Sequence, residues 1–133
     1  MIGHRSPRYR KFGWAAARLD DLANWVPARV AVLAAAAWAP LVGGTAAKVV
    51  DVVRRDASQH PSPNAGVVEA AFAGALDVRL GGHNHYQGAI EDRGLLGDGR
   101  LVEIADISRA SLLAAAVSIS ALAVAVLFRG WRS

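Results

Sequence analysis

The residue types that chemistry uses gather in three stretches of this sequence. In RRDASQHPSPNAGVVE, residues 54–69, Arg54, Arg55, Asp56, His60, Asn64 and Glu69 fall within sixteen positions around two prolines. Guanidinium groups suit phosphoryl or carboxylate oxygens, an aspartate suits a divalent cation, and a histidine or glutamate suits a proton in transit. The prolines force an extended turn, and a rigid turn keeps such groups in place because its backbone cannot relax away. Asn64 or Ser62 serves equally well as a helix cap. Glu69 resists so plain a reading. It is the single ionisable group on the short apolar run 65–76, and a carboxylate there needs a partner, a proton or a polar cavity.

The second stretch is RLDD, residues 18–21. On a helix Arg18 and Asp21 share a face while Asp20 points about 100° away. A surface ion pair explains the spacing at well under about 1 kcal/mol, and spacing alone favours that explanation. Trp14 and Trp25 flank the pair on the same face, however, and an aspartate fenced by indoles can hold Mg²⁺ or a substrate. The third stretch is LGGHNHYQG, residues 80–88. Glycines let backbone amides approach an anion, and His83 and His85 share one face of an extended strand. A closed metal site needs more ligands than two, so this stretch reads as an ordinary loop. GGTAAK at 43–48 is not a phosphate-binding loop, and no GxxxxGK[ST] occurs.

The elements that must carry these residues are mostly apolar. The chain has 133 residues, a 53% hydrophobic fraction and no cysteine, which excludes disulfides and thiol chemistry and leaves room for one small domain, residues 1–133. Alanine, valine and leucine supply that fraction, so helices are favoured. No charged side chain occurs in 30–47 or in 110–128, and both stretches reach the roughly 18–20 residues that cross a bilayer. Arg109 and Arg129 bracket the second span and Trp131 follows it, where long and aromatic side chains reach the interface. Pro40, Gly43 and Gly44 make the first span kinked or re-entrant. A soluble alanine-rich bundle is the alternative, since length alone does not prove insertion.

Around these spans, residues 12–26 read as one amphipathic helix that Pro27 ends or bends. Residues 45–56 read as an extension of the first span, with Val49, Val52 and Val53 inward and Asp51 four residues before Arg55. Residues 65–76 form a short helix whose Gly66, Ala70 and Gly74 make a small-residue ridge. Six glycines among residues 79–100 predict a turn-rich loop. The fold class that follows is all-α: a polytopic helical membrane protein whose two spans are joined by a helical and Gly-rich polar loop. The net charge of +4 is concentrated in residues 1–29, with six Lys/Arg against two acids. No nucleic-acid motif or stacking platform accompanies it; basic residues beside an apolar span face lipid headgroups. With two spans, the basic termini favour the cytoplasmic side and place 48–109 opposite.

GHRSPRYRKFGWAAARLDDLANWVPARV (3–30), RRDASQHPSPNAGVVEAAFAGAL (54–76), LGG followed by Tyr86 and Gly88, and LGDGR (96–100) resemble consecutive blocks of the cobalamin-biosynthesis CobD/CbiB family. They stand in the family's order over nearly the whole chain, and RLDD…PAR and HPSPNAG are the specific ones. His83, His85 and Gly94 depart from the family pattern. The resemblance implies a multi-pass protein of the cell (inner) membrane and a carbon–nitrogen ligase, adenosylcobinamide-phosphate synthase. That activity joins a propionate of adenosylcobyric acid to (R)-1-amino-2-propanol or its O-phosphate, with ATP consumed and Mg²⁺ required. Matching that chemistry to this chain's residues assigns catalytic roles to His60, Glu69 and Asp56, substrate binding to Arg18, Arg55, Asn64 and Tyr86, and a metal role to Asp20 and Asp21. The cytoplasmic location of ATP favours placing 48–109 on that side, the reverse of the charge reading. Arg55, Asp56, His60 and Glu69 are then expected to converge on one corrinoid pocket. Because the family carries helices upstream, the chain is expected to be a fragment, a mis-started reading frame or half of a split enzyme, in the last case with the amino-terminal half as partner. A non-catalytic accessory or sensory protein of the AmpE type is the competing class, and an inactive truncated product the third.

Overall fold

The computed structural model describes residues 10–86 and 89–131, the side chains of 10–12 and 83–93 excepted. The chain opens with α1 (Arg10–Ala23) and, after Asn24 alone, α2 (Trp25–Trp38). The expected single helix 12–26 is therefore two. Asn24 makes the break: its amide nitrogens reach back to the Asp20 carbonyl at 2.9 and 3.0 Å, and its own carbonyl takes the Ala28 N–H at 3.0 Å to start the next helix. Pro27 sits in the first turn of α2, where its missing N–H costs nothing, so it belongs to a helix start and not a helix end.

A 3-10 turn over Ala39–Val42 continues α2, and Gly43 closes it in the left-handed region at φ 81°. The first apolar span is consequently Trp25–Val42, shifted toward the amino terminus from 30–47. Thr45 then caps a separate helix, α3 (Ala46–Asp56), by accepting the Lys48 N–H at 3.2 Å. Residues 45–56 are thus no extension of the span, because a left-handed glycine followed by a new N-cap ends one helix and begins another. A second 3-10 turn, Ala57–Gln59, and the proline turn lead into α4 (Ala65–Leu76). Gly66, Ala70 and Gly74 are all buried, and the ridge they form packs on α3 at Gly74 and on the 3-10 turn and His60 at Gly66.

The segment expected to be a turn-rich loop is a small sheet, which corrects the all-α expectation to mostly helical with a sheet. Strands β1 (Val78–Tyr86) and β2 (Ala89–Leu96) pair antiparallel, and β3 (Arg100–Leu101) pairs parallel with β1, in the order β2-β1-β3. The glycines do not prevent pairing. Gly81 and Gly82 take φ of 91° and 94° at an irregularity in the ladder between Gly81 and His83, the place where a bulge absorbs residues without a Cβ penalty.

The chain ends in α5 (Ala105–Trp131), 27 residues that contain the expected span 110–128. Two helical segments, Trp25–Val42 and α5, are long and apolar enough to cross a membrane. They pack together, and Trp38 Nε1 donates to Ser120 Oγ across them at 2.8 Å. The core where the elements meet is small and alanine-rich: Ala35, Ala39 and Val42 of the first span meet Val49 of α3, Ala71, Ala75 and Leu76 of α4, Val78 of β1 and Leu113 of α5. A second cluster joins Val52, Ala57, Ala70, Ala73 and Leu96, seating β2 on the α3–α4 pair. Most of the large apolar side chains of α5 remain exposed.

Candidate functional site

The proline turn is held from both sides. Asn64 precedes α4 but caps nothing with its side chain; Ser62 Oγ accepts the Ala65 N–H at 3.3 Å instead. The buried Asn64 amide donates to the Asp21 carbonyl at 2.7 Å and accepts from Arg29 Nη1 at 2.7 Å. Arg29 also donates to the Trp25 carbonyl and lies 4.7 Å over the Trp25 ring. Asn64 therefore fastens the end of α1 and Arg29 of α2 to the turn that carries His60. Arg29 was missed as a site residue from sequence, although it stands in the PAR segment quoted there and four residues from Trp25, the spacing at which helix side chains meet.

His60 and Glu69 come together. The Ser62 backbone N–H donates to His60 Nδ1 at 3.0 Å, and the Ser62 carbonyl lies 3.2 Å from the same nitrogen. Nε2 is buried without a hydrogen-bond partner and sits 3.7 Å from Glu69 Oε1. The imidazole is 8% exposed and the Glu69 side chain 44%. Gly66 makes this approach possible, since a Cβ there would lie 2.8 Å from His60 Cβ and collide with the Ala57 carbonyl oxygen.

Arg55 and Asp56 form a different group. Asp56, 4% exposed, takes Arg55 Nε and Nη2 at 2.8 Å each, the Gly97 N–H at 2.8 Å and Gln59 Nε2 at 3.3 Å. Arg55 Nη1 continues to Asp98 at 2.9 Å, and Lys48 Nζ meets the other Asp98 oxygen at 2.6 Å. The Arg55 guanidinium and the Gly97 amide hold the Asp56 carboxyl below its ordinary range, against the cost of burial. Lys48 and Arg55 lower Asp98 to about 2, and Asp98 in turn raises Lys48. A depression of about 260 Å³ beside this group is lined by Gly43, Gly44, Thr45, Lys48, Gly74 and Asp77. No hydrogen bond or ion pair joins Arg55, Asp56, Asp98 or Lys48 to His60 or Glu69 among the described residues. The four residues expected to converge thus fall into two hydrogen-bonded or ion-paired groups, Asp56 clamping the LGDG segment and His60 turned toward Glu69 of α4.

The remaining candidates are dispersed. Arg18 is exposed, 5.7 Å over the Trp14 ring, and no ion pair joins it to Asp21 among the described residues. Asp20 Oδ1 accepts from Asn24 at 3.0 Å. Tyr86 ends β1, and its side chain, like those of His83 and His85, lies outside what is described. Among the described residues no three His, Asp or Glu gather as a metal site. Both Asp56 oxygens are already taken by Arg55, Gln59 and the Gly97 amide. Arg109, expected at the interface, instead turns inward: it donates to the carbonyls of Val42 and Leu76 and to Asp106, which also takes Arg100 at 2.6 and 2.7 Å. Carbonyls left open at the ends of two apolar helices explain that turn, since buried acceptors require donors.

The family model described as CobD/Cbib protein matches residues 1–114. Three proteins named Cobalamin biosynthesis protein CobD illustrate the relatives. That of Mycobacterium tuberculosis (strain H37Rv) is 57% identical over 127 residues, covering 96% of this chain and 41% of its own. That of Rhizobium meliloti is 48% identical over 130 residues, covering 94% and 40%. That of Yersinia enterocolitica is 43% identical over 125 residues, covering 92% and 39%. The chain spans about two fifths of the length of these relatives. No solved structure matches it. With its family model covering most of the sequence and these identities sustained over more than nine tenths of it, the chain belongs to the CobD/CbiB family.

Proposed function

We propose that this chain forms the carboxy-terminal part of an adenosylcobinamide-phosphate synthase, the carbon–nitrogen ligase of cobalamin biosynthesis. The reaction joins a propionate of adenosylcobyric acid to (R)-1-amino-2-propanol or its O-phosphate at the expense of ATP. A carboxylate is a poor electrophile, so ATP first makes it an acyl phosphate and the amine then displaces phosphate. The observation that carries the reading is the pairing of buried His60 with half-exposed Glu69 on a proline-stiffened turn, in a chain of this family. An amine held as ammonium must lose a proton before it attacks, and this pair is the group suited to take it. Arg18, exposed beside Trp14, is the proposed contact for anionic oxygens, and Asn64 the group that keeps the turn in place. Arg55 and Asp56 support the site without entering the chemistry, because their polar atoms bind each other and the 97–98 segment. Mg²⁺ and nucleotide would then depend on groups beyond these.

The same reading makes the protein a multi-pass protein of the cell (inner) membrane, with Trp25–Val42 and α5 as its spans, lipid as its surroundings and no nucleic-acid partner. It also makes the amino-terminal portion found in the relatives its functional partner. The test is growth of a synthase-deficient strain on corrinoid precursor, with this chain supplied alone and together with that portion from a family member. Rescue by the pair is expected. Absence of rescue and of amide product in both cases, with both proteins in the membrane fraction, overturns the ligase reading in favour of an accessory role.

A further inference from the structure

Resting on that ligase reading, we infer that Glu69 alone is the proton acceptor and that His60 acts on it as a positioning residue, held by the Ser62 peptide in the form that carries hydrogen on Nε2. Both ends of the imidazole argue for this form. At Nδ1 the nearer partner is the Ser62 N–H at 3.0 Å, a donor that needs the nitrogen's lone pair; a hydrogen on Nδ1 would collide with it while reaching for the carbonyl at 3.2 Å. At Nε2 the nearest charged group is the Glu69 carboxylate at 3.7 Å. A lone pair there would be buried, unpartnered and facing an anion, whereas an N–H faces it favourably. Which nitrogen bears hydrogen follows from such partners.

An imidazole whose Nδ1 lone pair is occupied and whose Nε2 already carries hydrogen has no lone pair to offer an ammonium group. Exposure decides in the same direction. His60 is sealed beneath the turn at 8%, while Glu69 at 44% is reachable by a substrate. In the step, the Glu69 carboxylate takes one proton from the substrate ammonium. The freed nitrogen lone pair then forms the C–N bond as the acyl C–O bond to phosphate breaks, and the phosphate leaves with that electron pair and accepts the second nitrogen proton. His60 Nε2–H faces the carboxylate across 3.7 Å, and that attraction keeps the glutamate aimed.

Two measurements test the assignment. In the full chain in detergent micelles with ¹⁵N-labelled histidine, the His60 signals are those lost on His60→Asn substitution; they should report hydrogen on Nε2 and not on Nδ1 of the neutral ring. In the assembly with the amino-terminal portion, Glu69→Gln should lower turnover at least about 100-fold, the range for losing a general base. His60→Gln, whose amide can present an N–H near the place of Nε2–H, should stay within about tenfold of the unmutated chain, with His60→Ala below it. A neutral His60 ring protonated on Nδ1, near-normal turnover in Glu69→Gln, or a folded His60→Gln as inactive as Glu69→Gln each overturns the assignment while leaving the ligase reading intact. No amide product from the unmutated assembly overturns both, and the tautomer measurement then stands apart from that failure.

Discussion

At the scale of single residues, Asp56 is the side chain whose burial and partners say most about what it does. A carboxylate 4% exposed with a bidentate guanidinium and a backbone N–H ties the end of α3 to the 97–98 turn. Removing one member of a buried pair is destabilising, less so here because Arg55 is half-exposed, so Asp56→Ala should cost about 2 kcal/mol. The thermal midpoint of the full chain in micelles measures this, and an unchanged midpoint would free Asp56 for a catalytic role. The pH dependence follows from the same contacts. Asp56 and Asp98 both titrate below the unfolded value near 4. Groups depressed on folding add stability that is complete above their unfolded pKa and vanishes as pH falls through the folded one. The midpoint should therefore be flat in these groups above about pH 5 and fall between about pH 4 and 2, with a shallower fall in Asp98→Asn. The sequence shows these residue types but not their pairings. Arg55 finds Asp98 across 43 positions and Asn64 finds Arg29 across 35. No local periodicity encodes such distances, which is why the pairings within the expected site were not legible in advance.

At the scale of elements, what could be read in advance was what periodicity or small-residue spacing dictates. The bounds of α4 and the inward valines of α3 follow from apolar positions recurring at helical intervals. The break at Asn24 was hidden because Pro27 is the stronger signal and its position within a first turn is not visible locally. The hairpin was hidden because glycines that permit a bulge look like glycines that make a loop. The contact of α4 with the proline turn carries the site, and Gly66 governs it. The methyl added by Gly66→Ala would press on the Ala57 carbonyl and on His60 Cβ, lifting the turn from α4 at a cost of about 1–3 kcal/mol. Both the thermal midpoint and turnover should fall, whereas Gly130→Ala, whose added methyl meets nothing within 4 Å, should leave both in place. Equal behaviour of the two variants would mean that His60 does not depend on this close approach.

At the scale of the whole molecule, the described apolar surface has a direction. The helices α2 to α4 and the sheet share a small core, while α5 gives that core Leu113 and leaves Ile119, Leu122, Val126 and Phe128 exposed. In water that surface would be a liability; against acyl chains or neighbouring apolar helices it is at home. Ile119, 68% exposed, lies at the middle of the uncharged run 110–128, and Ile107, 67% exposed, lies near the start of α5. If α5 spans a bilayer, Ile119→Arg puts a charge at the centre at about 3 kcal/mol, roughly a hundredfold in the partition, whereas Ile107→Arg lets its head group reach the interface at far lower cost. Alkaline extraction of membranes carrying each variant reads the difference: Ile119→Arg should shift toward the soluble fraction and Ile107→Arg should not. A soluble bundle would treat two equally exposed positions alike, so equal extraction of the two variants would remove α5 from the membrane.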